Sequence, residues 1–522
     1  MQMRVLLKTY GAMVLAALVV LTGTTRSSAQ GVAPPTLSSP VPAPIESQKQ
    51  SAEAPKPCTL PGISAQLVQE AVDASSMLQP PLAADALIRI ATKVASPCPV
   101  LAKDLLQRAF DQGDSVEPDT AYKLALGAVS TDSRVYFMKL TYDLGMDRLS
   151  LQSRVVISMA PLDAKKAIQL FQRMTPPRPP AVSCTSAFAP DVSIYYEAVG
   201  KVFALLKVRK PLDDAEVMAP FLQLQEVARA TISPVQLAPL AKVLEGADLS
   251  TTELSPLLNT VATAVESFPV DDNSFYSARG FPAVQATVQL VQLARNKRVS
   301  PYALAHSFHD YLNHSLNGSH CSGNGPKDFK ELVLLYESLN RRSAASDQNV
   351  EPLSIPTSAP PLEPHPDAGD YWLSPKGKGL LVDAKHTNFD DNWRRYTDAD
   401  RKTPEWQDRI RHLLNDMDDW RPTDEPDPAS YYHERCILIY RVLADLPQGV
   451  LYDRVVSVWI ATFSESSLQW DNPAEWYVGV SEFLRFSKKD VNGPPPPAAI
   501  IPLKDSSNPY LHALGVIAEF LQ

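Results

Sequence analysis

The chain has 522 residues, 45% of them hydrophobic and 8% aromatic, and carries a net charge of −9. That length fits two or three domains, and that composition fits a packed globular protein. The negative balance argues against sequence-independent nucleic-acid binding, which needs a basic surface, so no nucleic acid is expected among its partners.

Residues 1–29 have the pattern of a signal peptide. Arg4 and Lys8 make a positive start, and the run from Gly11 to Leu21 is apolar but too short to span a bilayer comfortably. Ser27 and Ala29 occupy the small-residue positions of a cleavage site, which places the cut after Ala29. An uncleaved anchor is the alternative. No later stretch is long and apolar enough for a membrane span. The expectation is an exported, soluble protein, periplasmic or secreted. Outside the cytoplasm disulfides persist, which gives meaning to Cys58, Cys98, Cys184, Cys321 and Cys436.

Residues 30–57 are rich in Pro, Ala and Ser with little to bury, and read as a disordered linker. From 58 to 345 the pattern is helical. Ala84, Leu87, Ile88 and Ala91 recur at helical spacing, as do Ala102, Leu105, Leu106 and Ala109, and Ala164, Ala167, Ile168 and Phe171. Helix starts are marked by a capping residue before proline: Ser233-Pro234, Ser300-Pro301, Thr403-Pro404, Asn472-Pro473 and Asn508-Pro509. The cap oxygen satisfies an orphan backbone N–H, and proline has none to satisfy. Asp163 and Asp213 can cap in the same way. The stripes near 84, 122 and 164 lie roughly 40 residues apart, the length of a two-helix unit. No tetratricopeptide or ankyrin consensus is present. A weaker break falls at 175–180.

Residues 346–369 form a Pro-rich linker. All seven tryptophans follow it, and from 366 onward 25 acidic side chains face 17 basic ones, nearly the whole net charge. A Trp-rich acidic helical domain is therefore expected over 370–490. A further Pro-rich linker covers 491–507, and an amphipathic C-terminal helix over 508–522 is expected to dock on the body through Leu511, Leu514, Ile517 and Leu521. The fold class is all-α: stacked helical hairpins resembling an α-solenoid, with a second, smaller all-α domain.

Candidate chemistry is sparse. On a helix over 302–314, Leu304, Phe308, Tyr311 and Leu312 share one side, and His306, His309, Asp310, Asn313 and His314 the other. His306, Asp310 and His314 have the i, i+4, i+8 spacing at which neighbours share a metal ion. A solvated helix face explains the same pattern and is the preferred reading, because no HExxH or paired-cysteine form is present.

The segment "FSESSLQW" places Glu465 before Ser466 and resembles the catalytic Glu-Ser of lytic transglycosylases, which are helical and exported. The resemblance implies a glutamate that protonates a glycosidic oxygen. It covers a handful of residues, and the glycine- and glutamine-bearing motif expected downstream is absent. A polar last turn of an amphipathic helix accounts for the segment more simply. The acidic run 415–427 lacks the turn glycine and regular carboxylate spacing of a calcium loop, and reads as solvated.

Trp406, Trp459 and Trp476 fall on apolar stripes and belong to the core. Trp372, Trp393, Trp420 and Trp470 lie near helix ends or loops and stand as candidate ligand contacts. Nucleophile, phosphate-loop and dinucleotide motifs are missing, so no cofactor is expected. Cys58 and Cys98 flank the first two helices at what should be one end of a hairpin, and pair on that ground. Cys184 and Cys321 lie in polar connections and form the second expected pair, leaving Cys436 free in the core.

Together these features point to a non-catalytic scaffold of the cell envelope that binds a protein or peptide. The alternative is an all-helical enzyme acting on envelope glycan, with its site in the C-terminal domain. A metal-binding role through the histidines comes third.

Overall fold

The computed structural model describes residues 64–116, 143–179, 191–208, 214–269, 282–316, most of 374–466 and residues 497–522, with isolated positions between 320 and 363 and between 476 and 484. The signal sequence, the first linker, Cys58, Cys184, Trp372 and Trp470 lie outside the described residues. The protein is mostly helical. Its one strand pairing among the described residues is two residues long, His320–Cys321 beside Leu362–Glu363.

The first described helices are α1 (Ala65–Ser76), α2 (Pro80–Val94), α3 (Pro99–Asp114), α4 (Arg148–Met159), α5 (Ala164–Gln172) and α6 (Ser193–Val208). They are followed by α7 (Asp214–Arg229), α8 (Leu237–Gly246), α9 (Thr251–Glu266), α10 (Pro282–Asn296) and α11 (Tyr302–Leu316). The later part holds α12 (Pro375–His386), α13 (Pro404–Asp418), α14 (Pro428–Leu443), α15 (Val450–Ser466), α16 (Pro497–Lys504) and α17 (Pro509–Leu521).

Caps start these helices where the sequence writes them. Asp163 accepts from the N–H of Lys166, Thr403 from Trp406, and Asn508 from Tyr510 and Leu511. Ser233 starts a single 3-10 turn that leads into α8, with Gln236 reaching back to its backbone. Ser250 and Glu253 form a capping box at α9. Each such cap stabilises its helix by roughly 1 kcal/mol.

Packing follows a regular order. Each of α2, α4, α6, α8 and α10 packs on the next in that row, and α7, α9 and α11 make a second row. Helices adjacent in sequence, such as α6 and α7 or α10 and α11, join the rows. The apolar stripes supply the contacts: Leu87, Leu105, Val155, Val199, Leu240 and Leu290 are all buried in one continuous cluster. Each fully buried aliphatic side chain contributes about 1.5–3 kcal/mol of transfer free energy.

A second cluster gathers Trp406, Trp420, Trp459 and Trp476 with Ile410, Ile439 and Phe463. It also takes Leu78, Leu82, Ala83 and Ala86 from the start of the chain. Helix α2 therefore buries Leu87 and Ile88 in one cluster and Leu82 and Ala86 in the other. A helix with two buried faces must be apolar nearly all round, as its sequence is.

Helix α17 returns to the beginning of the chain. It packs on α1 and α2, and places Phe520 in the first cluster and Leu511, Leu514 and Ile517 in the second. Its Gly515 allows close approach to α16: a Cβ there would lie 2.6 Å from the backbone N of Lys504. Within the Pro-rich stretch, Leu353 is buried and gripped by one side chain. Asn340 donates to the Leu353 carbonyl at 2.9 Å and accepts from its N–H at 2.6 Å. Among the described residues no helix is long and apolar enough to cross a membrane.

Candidate functional site

Where α2, α4 and the start of α6 lie side by side, the surface forms an open groove of about 490 Å³. Helix α2 supplies Ile88, Arg89, Thr92 and Lys93. Helix α4 supplies Arg154, Ile157 and Ser158, and α6 supplies Ile194 and Glu197. Leu521, at the end of α17, closes one edge. The helical repeat explains the layout: positions 88, 89, 92 and 93 share one face of α2 at i, i+1, i+4, i+5.

Beneath the groove sits Asp85, fully buried. Its carboxylate takes the Arg89 Nε at 2.8 Å and an Arg154 terminal nitrogen at 2.6 Å. Arg154 also donates to the Gly145 carbonyl at 3.4 Å. A carboxylate without water must be paired, and Arg supplies paired donors in a fixed fork. Lys93 donates to the Phe520 carbonyl at 2.6 Å, and its ammonium lies 5.1 Å from the centre of that ring. Burial lowers the Lys93 ammonium from its ordinary value. Three cations thus line the groove, against one buried acid and Glu197 on the far wall. Thr92 spends its hydroxyl on the Ile88 carbonyl, at 2.8 Å.

The histidines of α11 take the face opposite its core stripe. Leu304, Phe308, Tyr311 and Leu312 are buried, and His306 and His314 are exposed. Asp310 lies 3.5 Å from His306 and 3.3 Å from His309. His314 turns its Nδ1 to the Asp310 backbone carbonyl at 2.7 Å rather than to the carboxylate. Tyr302 stacks on His306. Among the described residues no group of three or more His, Cys, Asp or Glu side chains is arranged to hold a metal ion.

The tryptophans divide sharply. Trp420, expected as a candidate contact, is fully buried. Its indole N–H donates to Glu425 at 2.5 Å, and the Tyr431 ring packs edge-on against it. The expectation failed because the acidic run folds back: Glu425 also accepts from the N–H and hydroxyl of Ser374. That run is accordingly not wholly solvated, since Glu425 is buried.

Trp393 is the opposite case, 65% exposed. Its backbone has φ 60°, a left-handed conformation that bulky side chains rarely adopt. Asp390 braces the turn by accepting from the N–H groups of Asn392 and Arg394 and from the Arg394 guanidinium. These bonds hold the Asp390 carboxyl below its ordinary value, the Arg394 N–H most of all. His386 and Phe389 flank the indole, their ring centres about 6 Å from it.

Glu465 is exposed on the last turn of α15, and Ser466 beside it is buried. The Glu465 charge reaches Tyr432, whose phenol is raised mainly by burial and further by that carboxylate. Cys436 is a free, fully buried thiol, raised well above its ordinary value by burial. Cys98 is disulfide-bonded.

Reading the residues alone passed over the groove. Its one local signal was Asp85 four positions before Arg89, a helical ion-pair spacing. The approach of Arg154 is set by packing across 69 positions and leaves no local trace. No protein-family model matches the chain, and no curated protein or solved structure shows significant similarity to it.

Proposed function

We propose that this chain is an exported helical scaffold that binds a protein or peptide and carries out no catalysis itself. The stacked-hairpin reading draws on the two helix rows, and the smaller C-terminal domain on the second hydrophobic cluster. The observation that carries the binding reading is the groove. It crosses successive members of one row, aliphatic side chains stand among its polar ones, and two of its three cations are held by a buried acid. Extended peptides suit such grooves, where apolar side chains give area and a few charges fix register. The export reading rests on residues 1–29 and is supported by the disulfide at Cys98.

A photo-crosslinking residue at Thr92, with a control at Asp408 on α13, tests the binding reading in the producing cell. Adducts at Thr92 that are absent from the control, and that an excess of uncrosslinked chain competes away, are expected. Equal labelling at both positions would overturn the reading.

The second reading, an envelope-glycan enzyme, draws on exposed Trp393 and exposed Glu465. Release of soluble fragments from purified cell-wall glycan, abolished by Glu465→Gln, would establish it in place of the scaffold.

A further inference from the structure

A groove that takes peptides in general needs only aliphatic walls. This one has a charge pattern that narrows its ligand. The chain as a whole is acidic, at −9, yet Arg89, Lys93 and Arg154 meet along a single groove. Asp85 pairs with Arg89 and Arg154 from below, fully buried, and Glu197 is the one acid in the lining itself. Arg89 remains 41% exposed and Arg154 21% exposed at the side chain, so neither is closed off by the acid.

Asp85 also restrains both guanidinium groups. A cation already held in place loses less rotamer freedom when it takes a ligand, and so binds it more tightly. Guanidinium forks match carboxylates in shape as well as charge. Ile88, Ile157, Ile194 and Leu521 surround the cations with aliphatic surface, and Glu197 opposes a second negative group on the far wall.

We propose that the groove recognises a single internal Asp or Glu of an extended peptide, with aliphatic residues on either side of it. The carboxylate docks on Arg89 and Arg154, with Lys93 adding to the attraction, and the aliphatic neighbours fill the walls. An internal residue is the choice because the groove is open rather than a closed pit, so a chain passes along it without ending there. The proposal rests on the peptide-binding reading above.

The test uses the full chain with its disulfide intact, and displayed libraries of random heptapeptides. One library is embedded in a host loop with no free end, and the other carries free C-termini. The embedded library should yield heptapeptides with one Asp or Glu beside Ile, Leu or Val. For the best of them, a purified peptide should lose about tenfold or more in affinity when its acid becomes the amide, and a similar amount against Arg89→Gln. Arg89→Lys keeps a cation on Asp85 and so protects the fold. It should bind less well than the wild type and better than Arg89→Gln. Thr92→Trp fills the groove from an exposed position and should abolish binding.

Three results would overturn the proposal. Enrichment of purely apolar heptapeptides, blocked by Thr92→Trp but indifferent to Arg89→Gln, would leave the peptide reading standing and remove the acidic specificity. Enrichment in the free-end library alone would assign the carboxylate to a chain terminus. Retention by Thr92→Trp equal to that of the wild type in both libraries would remove the peptide reading as well.

Discussion

Asp85 and Arg435 are both charges taken out of water, and the molecule treats them differently. Asp85 is fully buried, and Arg435 is 7% exposed. Asp85 pairs with Arg89 and Arg154, whose side chains line a groove. Arg435 is enclosed by two backbone carbonyls and two hydroxyls, with the Asp418 carboxylate 3.7 Å away. It donates to the Met417 carbonyl at 2.5 Å, the Trp420 carbonyl at 3.3 Å, the Tyr431 hydroxyl at 2.7 Å and Thr462 at 3.0 Å. Tyr431 passes its own proton to the Trp420 carbonyl at 2.8 Å. The Arg435 guanidinium is enclosed, whereas Asp85 steadies two guanidinium groups from below and leaves them part-exposed at the groove. The first arrangement suits a brace inside a core, and the second suits a surface that takes a ligand.

The largest effect should come from the brace. Arg435→Leu removes one donor from each of the Met417 and Trp420 carbonyls and from the Tyr431 and Thr462 hydroxyls, and should cost roughly 3–5 kcal/mol by urea unfolding. A loss below about 1 kcal/mol would mean that water reaches those carbonyls and that the two sites are alike. Asp85→Asn should cost less, roughly 1–3 kcal/mol, because Arg89 and Arg154 can swing into solvent when the charge is gone. Combining it with Arg154→Gln should recover part of the loss, and a double-mutant cycle reads that recovery directly. Strict additivity would show that Asp85 does not hold Arg154 in solution.

What the residues disclosed and what they hid divide along the same line. Helix starts were legible because a cap acts over two or three positions: Asp163, Thr403 and Asn508 each bond the N–H groups that their spacing predicts. The stripe of Ala84, Leu87, Ile88 and Ala91 was legible because burial of one helix face repeats every turn. Asp85 stood between two of those positions and went unread, since apolar periodicity is blind to a charge that enters the core with partners. Trp420 was misread for the converse reason. Its neighbours are Asp418, Asp419 and Arg421, and only the folding back of Glu425 onto Ser374 takes it out of water.

Cys436 sharpens the comparison, since it follows Arg435 in the closed core. Burial raises its thiol well above the ordinary value, against the pull of the neighbouring guanidinium. The folded state therefore keeps its proton after the unfolded chain has lost one. Stability should fall as pH rises through the unfolded value near 8.5, by up to about 1.4 kcal/mol per unit while the folded thiol stays protonated. The measurement is urea unfolding of the wild type and of Cys436→Ala between pH 7 and 9.5, and the difference between the two should shrink as pH rises. A constant difference, or a thiol reagent that labels Cys436 in the folded chain at pH 8, would place that thiol in contact with water and open the core that Arg435 is said to close.

The smallest effect on stability belongs to Trp393, which neither cluster holds. Its φ of 60° sets a bulky side chain in the left-handed region, at a cost of roughly 1–2 kcal/mol. Its indole is mostly in water, so burial returns little of that cost. Trp393→Gly relieves the strain and adds freedom to the unfolded chain, two terms of opposite sign and similar size. The net change in unfolding free energy should therefore lie within about 1 kcal/mol of zero, while Trp393→Val, branched at Cβ, should be worse than either. Thermal unfolding of the three proteins side by side reads the order. If Trp393→Gly instead unfolds several degrees early, the indole is packed against part of the chain outside the described residues. Its place beside His386 and Phe389 would then belong to the fold rather than to a surface presented to a ligand.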